Sequence, residues 1–136
     1  MERVRVTAGT NIYISAFEFR GRPAEFLTHA ALGRIELAIS DAIIDEITRT
    51  LPQKLEWPEQ RIDDAKSIIE PFARRVEPIS TITVVDSDPA DNAVLECAEA
   101  AGSEYVVTGD RHLLRLKQYG GAKIVRVADF LRMLSP

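Results

Sequence analysis

Residues 88–110 read DPADNAVLECAEAAGSEYVVTGD, and this stretch decides the fold. Asp88 followed by Pro89 is a helix opening, because an aspartate side chain can accept from the first amides and proline suits the first turn. Val94, Cys97, Ala98 and Ala101 then recur on one face with a helical period. Gly102 ends the pattern. The run YVVTGD that follows opens apolar and β-branched, so it reads as the fourth, buried strand, with Thr108, Gly109 and Asp110 at its far end.

The same alternation continues outward. Upstream, TITVVDS reads as a third strand. The period of Ile62, Ala65, Ile69, Phe72, Ala73 and Val76 predicts a long helix after Pro58. IELAIS is the second strand, and Ser40 caps a helix striped by Ile43, Ile44, Ile47 and Leu51. PAEFLTHAALGR is a helix opened by Pro23 and closed at Gly33, and VRVTA is the first strand, running into a short helix over NIYISAF. Downstream, KIVRV is the fifth strand, with a terminal helix from about Ala128. Strands alternating with helices imply a parallel sheet covered on both faces. The expectation is an α/β protein with a central parallel sheet of about five strands, forming one domain over residues 1–136.

The chain has 136 residues, a net charge of −4 and one cysteine. That length can bury a core without disulfides, and a single cysteine excludes an intramolecular disulfide or a multi-cysteine zinc site. The acidic balance argues against indiscriminate coating of nucleic acid. No basic-then-apolar leader opens the sequence and no uncharged apolar run approaches a membrane span, so a cytoplasmic location with no membrane partner is expected. The absence of a G-x-G-x-x-G or P-loop pattern argues against nucleotide-binding folds.

In parallel sheets, sites gather beyond the carboxyl ends of the strands. Those ends carry Gly9, Thr10 and Asn11; Ser40 and Asp41, with Asp45 and Glu46 one turn on; Asp86, Asp88 and Asp91; and Thr108, Gly109 and Asp110. Converging carboxylates repel unless cations sit among them. An oxygen-rich set suits Mg2+ or Mn2+, which can activate water and stabilise the leaving oxygen of a phosphodiester. Each residue has a plainer use as well. Asp88 can be only a helix cap, Asp91 can favour the helix dipole, and Asp110 can be a turn residue. Glu46 lies about 115° from the centre of its helix's apolar stripe and Asp45 about 145°, which makes Glu46 the flank residue nearer the core.

Thr10 and Asn11 can cap the first helix or orient water or phosphate. His29 and His112 lack a metal-pair spacing, and His112 reads as a solvated turn residue. Cys97 reads as core. Arg20, Arg22, Arg34, Lys54, Arg74, Arg75 and Arg111 are candidate phosphate contacts amid ordinary surface charge. Asp86 alone is placed to be a phosphoacceptor, the feature of a rival phosphoryl-transfer reading that lacks a well-placed lysine after the fourth strand.

Four segments, GTNIYISAF (9–17), LAISDAIIDEITRTL (37–51), DSDPADNAVLECAEAAGSEYVVTGDRHLL (86–114) and GGAKIVRVADFL (120–131), together resemble the PIN-domain ribonucleases. The resemblance is greatest to the toxin components of prokaryotic toxin–antitoxin pairs. It implies a three-layer α/β/α sandwich whose acidic residues bind Mg2+ or Mn2+ and cleave RNA. Glu46, Asp91 and Asp110 match the family's acidic positions, Asp88 an additional one, and Asn11 and Thr108 its polar helpers near the metal. It also implies a homodimer or higher homo-oligomer and a partner antitoxin. Gly9 departs from the pattern, which has a metal-binding aspartate there. The expectation is therefore a ribonuclease weakened or silenced at position 9, or a silent RNA- or protein-binding module on the same fold.

Overall fold

The computed structural model describes residues 3–85 and 88–134. The chain runs β1 (Val4–Ala8), α1 (Thr10–Glu18), α2 (Arg22–Ala31), β2 (Ile35–Ile39), α3 (Asp41–Leu55), α4 (Glu59–Ile69), a 3-10 turn (Glu70–Phe72) and β3 (Ala73–Arg75). It continues through α5 (Pro89–Ala101), β4 (Tyr105–Val107), α6 (Arg111–Leu116), β5 (Gln118–Tyr119), β6 (Ala122–Val125) and α7 (Val127–Leu134).

The strands form one sheet in the order β3-β2-β1-β4-β6-β5, and every pairing is parallel except β5 with β6. The register is set by Val6 opposite Leu37 on one side of β1 and Ala8 opposite Val107 on the other. Val6, Ala8, Leu37, Ala38, Ile39, Val106 and Val107 are all buried, as expected of strands covered on both faces. On one side α5 packs against β1, β2 and β4 and against α3; elsewhere α2 packs on β2 and α7. Phe130 of α7 meets Phe26 and Tyr105 edge-on, each at 5.6 Å between ring centroids. The expected three-layer α/β/α sandwich is observed, its sheet parallel but for the β5–β6 pair.

Three strand assignments differ from the sequence reading. Thr81–Val85 is not a strand. Its apolar residues Ile82 and Val85 are buried, but its backbone is held by side chains of α5. The Ile82 amide donates to Glu96 Oε2 at 2.8 Å, and Asn92 pairs with both the N–H and C=O of Val85 at 2.8 Å each. With these backbone groups satisfied, the segment needs no strand partner. The sheet's third strand is instead Ala73–Arg75, which the helical period had absorbed. Pro71 interrupts that period, leaving a single 3-10 turn before the chain extends beside β2. Finally, Gly120 and Gly121 close a tight hairpin that adds β5, so the sheet has six strands.

Helix ends follow local chemistry. Ser40 accepts from the Ile43 amide at 3.3 Å and caps α3. Gly102 ends α5 at φ +63°, a left-handed conformation that glycine adopts without a Cβ penalty. The first helix differs: its cap position is Gly9, and no side chain caps it, so Thr10 and Asn11 do not play that role.

The order of the strands turns back around β1. The chain builds outward through β2 and β3 on one side and through β4 and β6 on the other. That reversal opens a crevice beyond the carboxyl ends of β1 and β4.

Candidate metal centre

The crevice is a cleft of about 290 Å³ lined by Gly9, Thr10, Asn11, Ile14, Glu46, Thr50, Lys54, Asp88, Ala90, Asp91, Val94, Thr108 and Asp110. β1 and the start of α1 supply Gly9 to Asn11, and α3 supplies Glu46, Thr50 and Lys54. The start of α5 brings Asp88 and Asp91, and the chain leaving β4 brings Thr108 and Asp110.

Asp88, Asp91 and Asp110 each direct a carboxylate oxygen into one group, all within 4.8 Å of one another. Asp91 is 7% exposed, and its Oδ2 has no hydrogen-bond partner. Burial first, then the charges of Asp110 and Asp88, push its carboxyl up to about 7 from an ordinary 3.8. An oxygen trio of this kind with an orphaned buried member fits a hard divalent cation such as Mg2+ or Mn2+. Asp88, Asp91 and Asp110 are the residues that would hold it.

Capping and metal binding do not compete here. Asp88 Oδ1 accepts from the Ala90 amide at 3.0 Å, and Asp110 Oδ1 accepts from His112 and Leu113 at 2.8 and 3.2 Å. In both residues the cap uses one oxygen and leaves the other outside it. The caps also hold each carboxylate in a fixed orientation. Thr108, 1% exposed, adds to this: its Oγ1 accepts from the Asp110 amide at 3.0 Å.

Glu46 lies on the cleft wall but outside the close trio. Its carboxylate pairs with Arg49 at 2.7 Å and accepts from Thr50 Oγ1 at 3.4 Å. Asp45 is exposed and does not line the cleft. Asp41 pairs with Arg75, and Glu36 with Arg74, at the β3 edge of the sheet. Among the candidate cations, only Lys54 lines the cleft. His112 is exposed but lies in the first turn of α6 rather than in a loop turn, because Asp110 caps a helix there, and Cys97 is fully buried beside Thr7, its thiol pushed up to about 11 by burial. Asp86 lies outside the described residues. The sequence reading missed Thr50 and Arg49 as neighbours of Glu46; their spacing of four and three residues along α3 was the available signal.

Position 9 is tightly surrounded. Gly9 has φ −69° and ψ 156°, which any residue can adopt, so the backbone does not demand glycine. A Cβ there would lie 2.9 Å from Thr108 Oγ1 and 3.1 Å from Asn11 Oδ1. Any side chain at position 9 must displace the hydroxyl that steadies Asp110.

A family model described as PIN domain matches residues 5–112. No curated protein matches the chain. Among solved structures, the crystal structure of PAE2754 from Pyrobaculum aerophilum superposes with a TM-score of 0.64 at 20% identity, covering 98% of this chain and 90% of that one. At that identity the likeness is one of fold. Among the described residues, no helix is long and apolar enough to cross a membrane.

Proposed function

The chain belongs to the PIN-domain family, and from that membership we propose that it is a Mg2+- or Mn2+-dependent ribonuclease of the toxin type, its hydrolysis held down by glycine at position 9. PIN domains are generally metal-dependent nucleases. The observation that carries the reading is the trio of Asp88, Asp91 and Asp110 oxygens within 4.8 Å, in a cleft at the switch point of the sheet.

When bound, the cation lowers the pKa of water for attack on phosphorus and offsets charge on the leaving oxygen. The protein's part is orientation. The caps of α5 and α6 hold Asp88 and Asp110, Thr108 fixes the Asp110 backbone, and Ile14 and Val94 exclude water from one side of the cleft. Asn11 presents its amide between Gly9 and Gly109, 3.1 and 3.0 Å from where their Cβ atoms would stand. From there it can position water or a phosphate oxygen. Glu46 is the cleft's fourth carboxylate, its charge balanced by Arg49. The toxin role, a partner antitoxin and a homo-oligomer rest on the sequence resemblance.

The test compares cleavage of a mixed-sequence RNA by this chain and by Gly9→Asp, each with Mn2+ or Mg2+. Restoring the carboxylate is expected to raise the rate by at least about tenfold, since even the partners that orient a metal's ligands are typically worth ~10–100-fold. If both proteins fold and bind metal yet neither cleaves RNA, the nuclease reading fails. A second reading, a silent RNA- or protein-binding module, is favoured by the crowding at position 9. It predicts no metal-dependent cleavage even in Gly9→Asp.

A further inference from the structure

Within the nuclease reading, the cleft's charge pattern leaves one side chain without a role. Four carboxylates line it, Glu46, Asp88, Asp91 and Asp110, and Lys54 is its sole cation among the described residues. Glu46, the acid on the same helix, pairs with Arg49, and no described residue pairs with Lys54. Arg49 itself lines an adjoining hollow of about 340 Å³ that shares Thr10, Glu46, Asp88 and Ala90 with the cleft. The two hollows therefore adjoin at the acidic group, one with Arg49 on its wall and the other with Lys54.

We propose that Lys54 is a substrate-contacting residue that binds a phosphate of the RNA strand outside the scissile position, seating the strand along α3. Glu46, Thr50 and Lys54 all line the cleft at successive four-residue intervals. Eight residues of helix carry Lys54 about 12 Å along the axis from Glu46. A strand that runs along α3 with its reacting phosphate at the aspartates would offer a neighbouring phosphate to Lys54. A lysine here answers a physical need: a polyanion entering a cleft of four carboxylates requires a cation beyond the metal centre to hold it. Lys54 also lies in the last turn of α3, where a cation favours the helix dipole. The test must therefore separate substrate contact from helix support.

Binding of a fluorescein-labelled single-stranded RNA of about 12 nucleotides is measured by anisotropy against KCl concentration in the presence of Mg2+, using the full chain. Each phosphate contact to single-stranded nucleic acid contributes about 0.7 to the slope of log K against log salt. Lys54→Gln should lower the slope by about 0.7 and weaken binding several-fold at low salt. Lys54→Arg should retain the slope, and Lys66→Gln on α4, the same charge change outside this cleft, should leave it unchanged. Support of the helix alone would move the melting temperature and leave the slope. If RNA binds with the same slope in Lys54→Gln, or if Lys66→Gln lowers it equally, the assignment of Lys54 is overturned and the nuclease reading stands. If neither the chain nor Gly9→Asp binds RNA, both fall.

Discussion

The buried carboxyl of Asp91 makes a specific demand on the stability of the metal-free protein. Its folded-state value, about 7, lies above the 3.8 of an ordinary aspartate. Between these two pH values the folded chain holds a proton that the unfolded chain has released. The linkage therefore has one sign: the contribution is complete below pH 4, falls as pH rises, and is lost once the pH passes 7. At about 1.4 kcal/mol per pH unit, the interval corresponds to roughly 4 kcal/mol. Water entering beside the exposed Asn11 screens part of this, so a loss of about 2–4 kcal/mol is expected. For a chain of this size each kcal/mol moves the melting temperature by about 3–5 °C.

Asp91→Asn removes the titration and nearly preserves the shape. The melting temperatures of both metal-free proteins, followed in EDTA from pH 4 to 8, should diverge. The native chain should lose at least about 6 °C relative to the variant as the pH rises. Mn2+ at about 100 times its dissociation constant should then restore about 2.7 kcal/mol at pH 8 to the native chain, and little to Asp91→Asn. Parallel pH curves would refute the reasoning, because they would mean that Asp91 ionises in the fold as easily as in the unfolded chain.

Other substitutions test the remaining contacts. Gly9→Ala should destabilise by about 1–3 kcal/mol in chemical denaturation, the usual cost of overpacking, because its Cβ meets Thr108 Oγ1 at 2.9 Å. Thr108→Val should cost about 1–3 kcal/mol by leaving the Asp110 amide without its acceptor, and should weaken Mn2+ binding measured by calorimetry. Asp110→Asn and Asp110→Ala should both lose metal affinity. Only the alanine should also lose about 1 kcal/mol of stability, since asparagine still caps α6.

Much of the site was legible because its residues obey local rules at strand and helix ends. Asp88 before Pro89, Ser40 before α3 and Asp110 after β4 are marked by the chemistry of a few neighbours, and the parallel sheet brings such ends together. What escaped depends on partners distant in sequence. Ala73–Arg75 has no β-branched residue, and only its pairing with Leu37–Ile39 makes it a strand. Thr81–Val85 has strand composition, but Asn92 and Glu96 take hydrogen bonds that a ladder would have used. The helical period placed Glu46 on the right flank of α3, yet it could not reveal that Arg49 and Thr50 would hold its carboxylate. Gly9 was conspicuous only against the family pattern. Its crowding by Thr108 and Asn11 is a fact of three-dimensional packing.

The strand that sequence periodicity hid also has a bearing on solubility. β3 lies at one margin of the sheet, where unpaired peptide groups could recruit another chain. It is three residues long, and two of them are exposed arginines, each tethered to an acid on the neighbouring segment: Arg74 to Glu36, Arg75 to Asp41. A second strand approaching this margin would meet two anchored cations along a very short run of backbone. The brevity and charge that made Ala73–Arg75 unrecognisable as a strand are the same properties that discourage the sheet from growing into an aggregate.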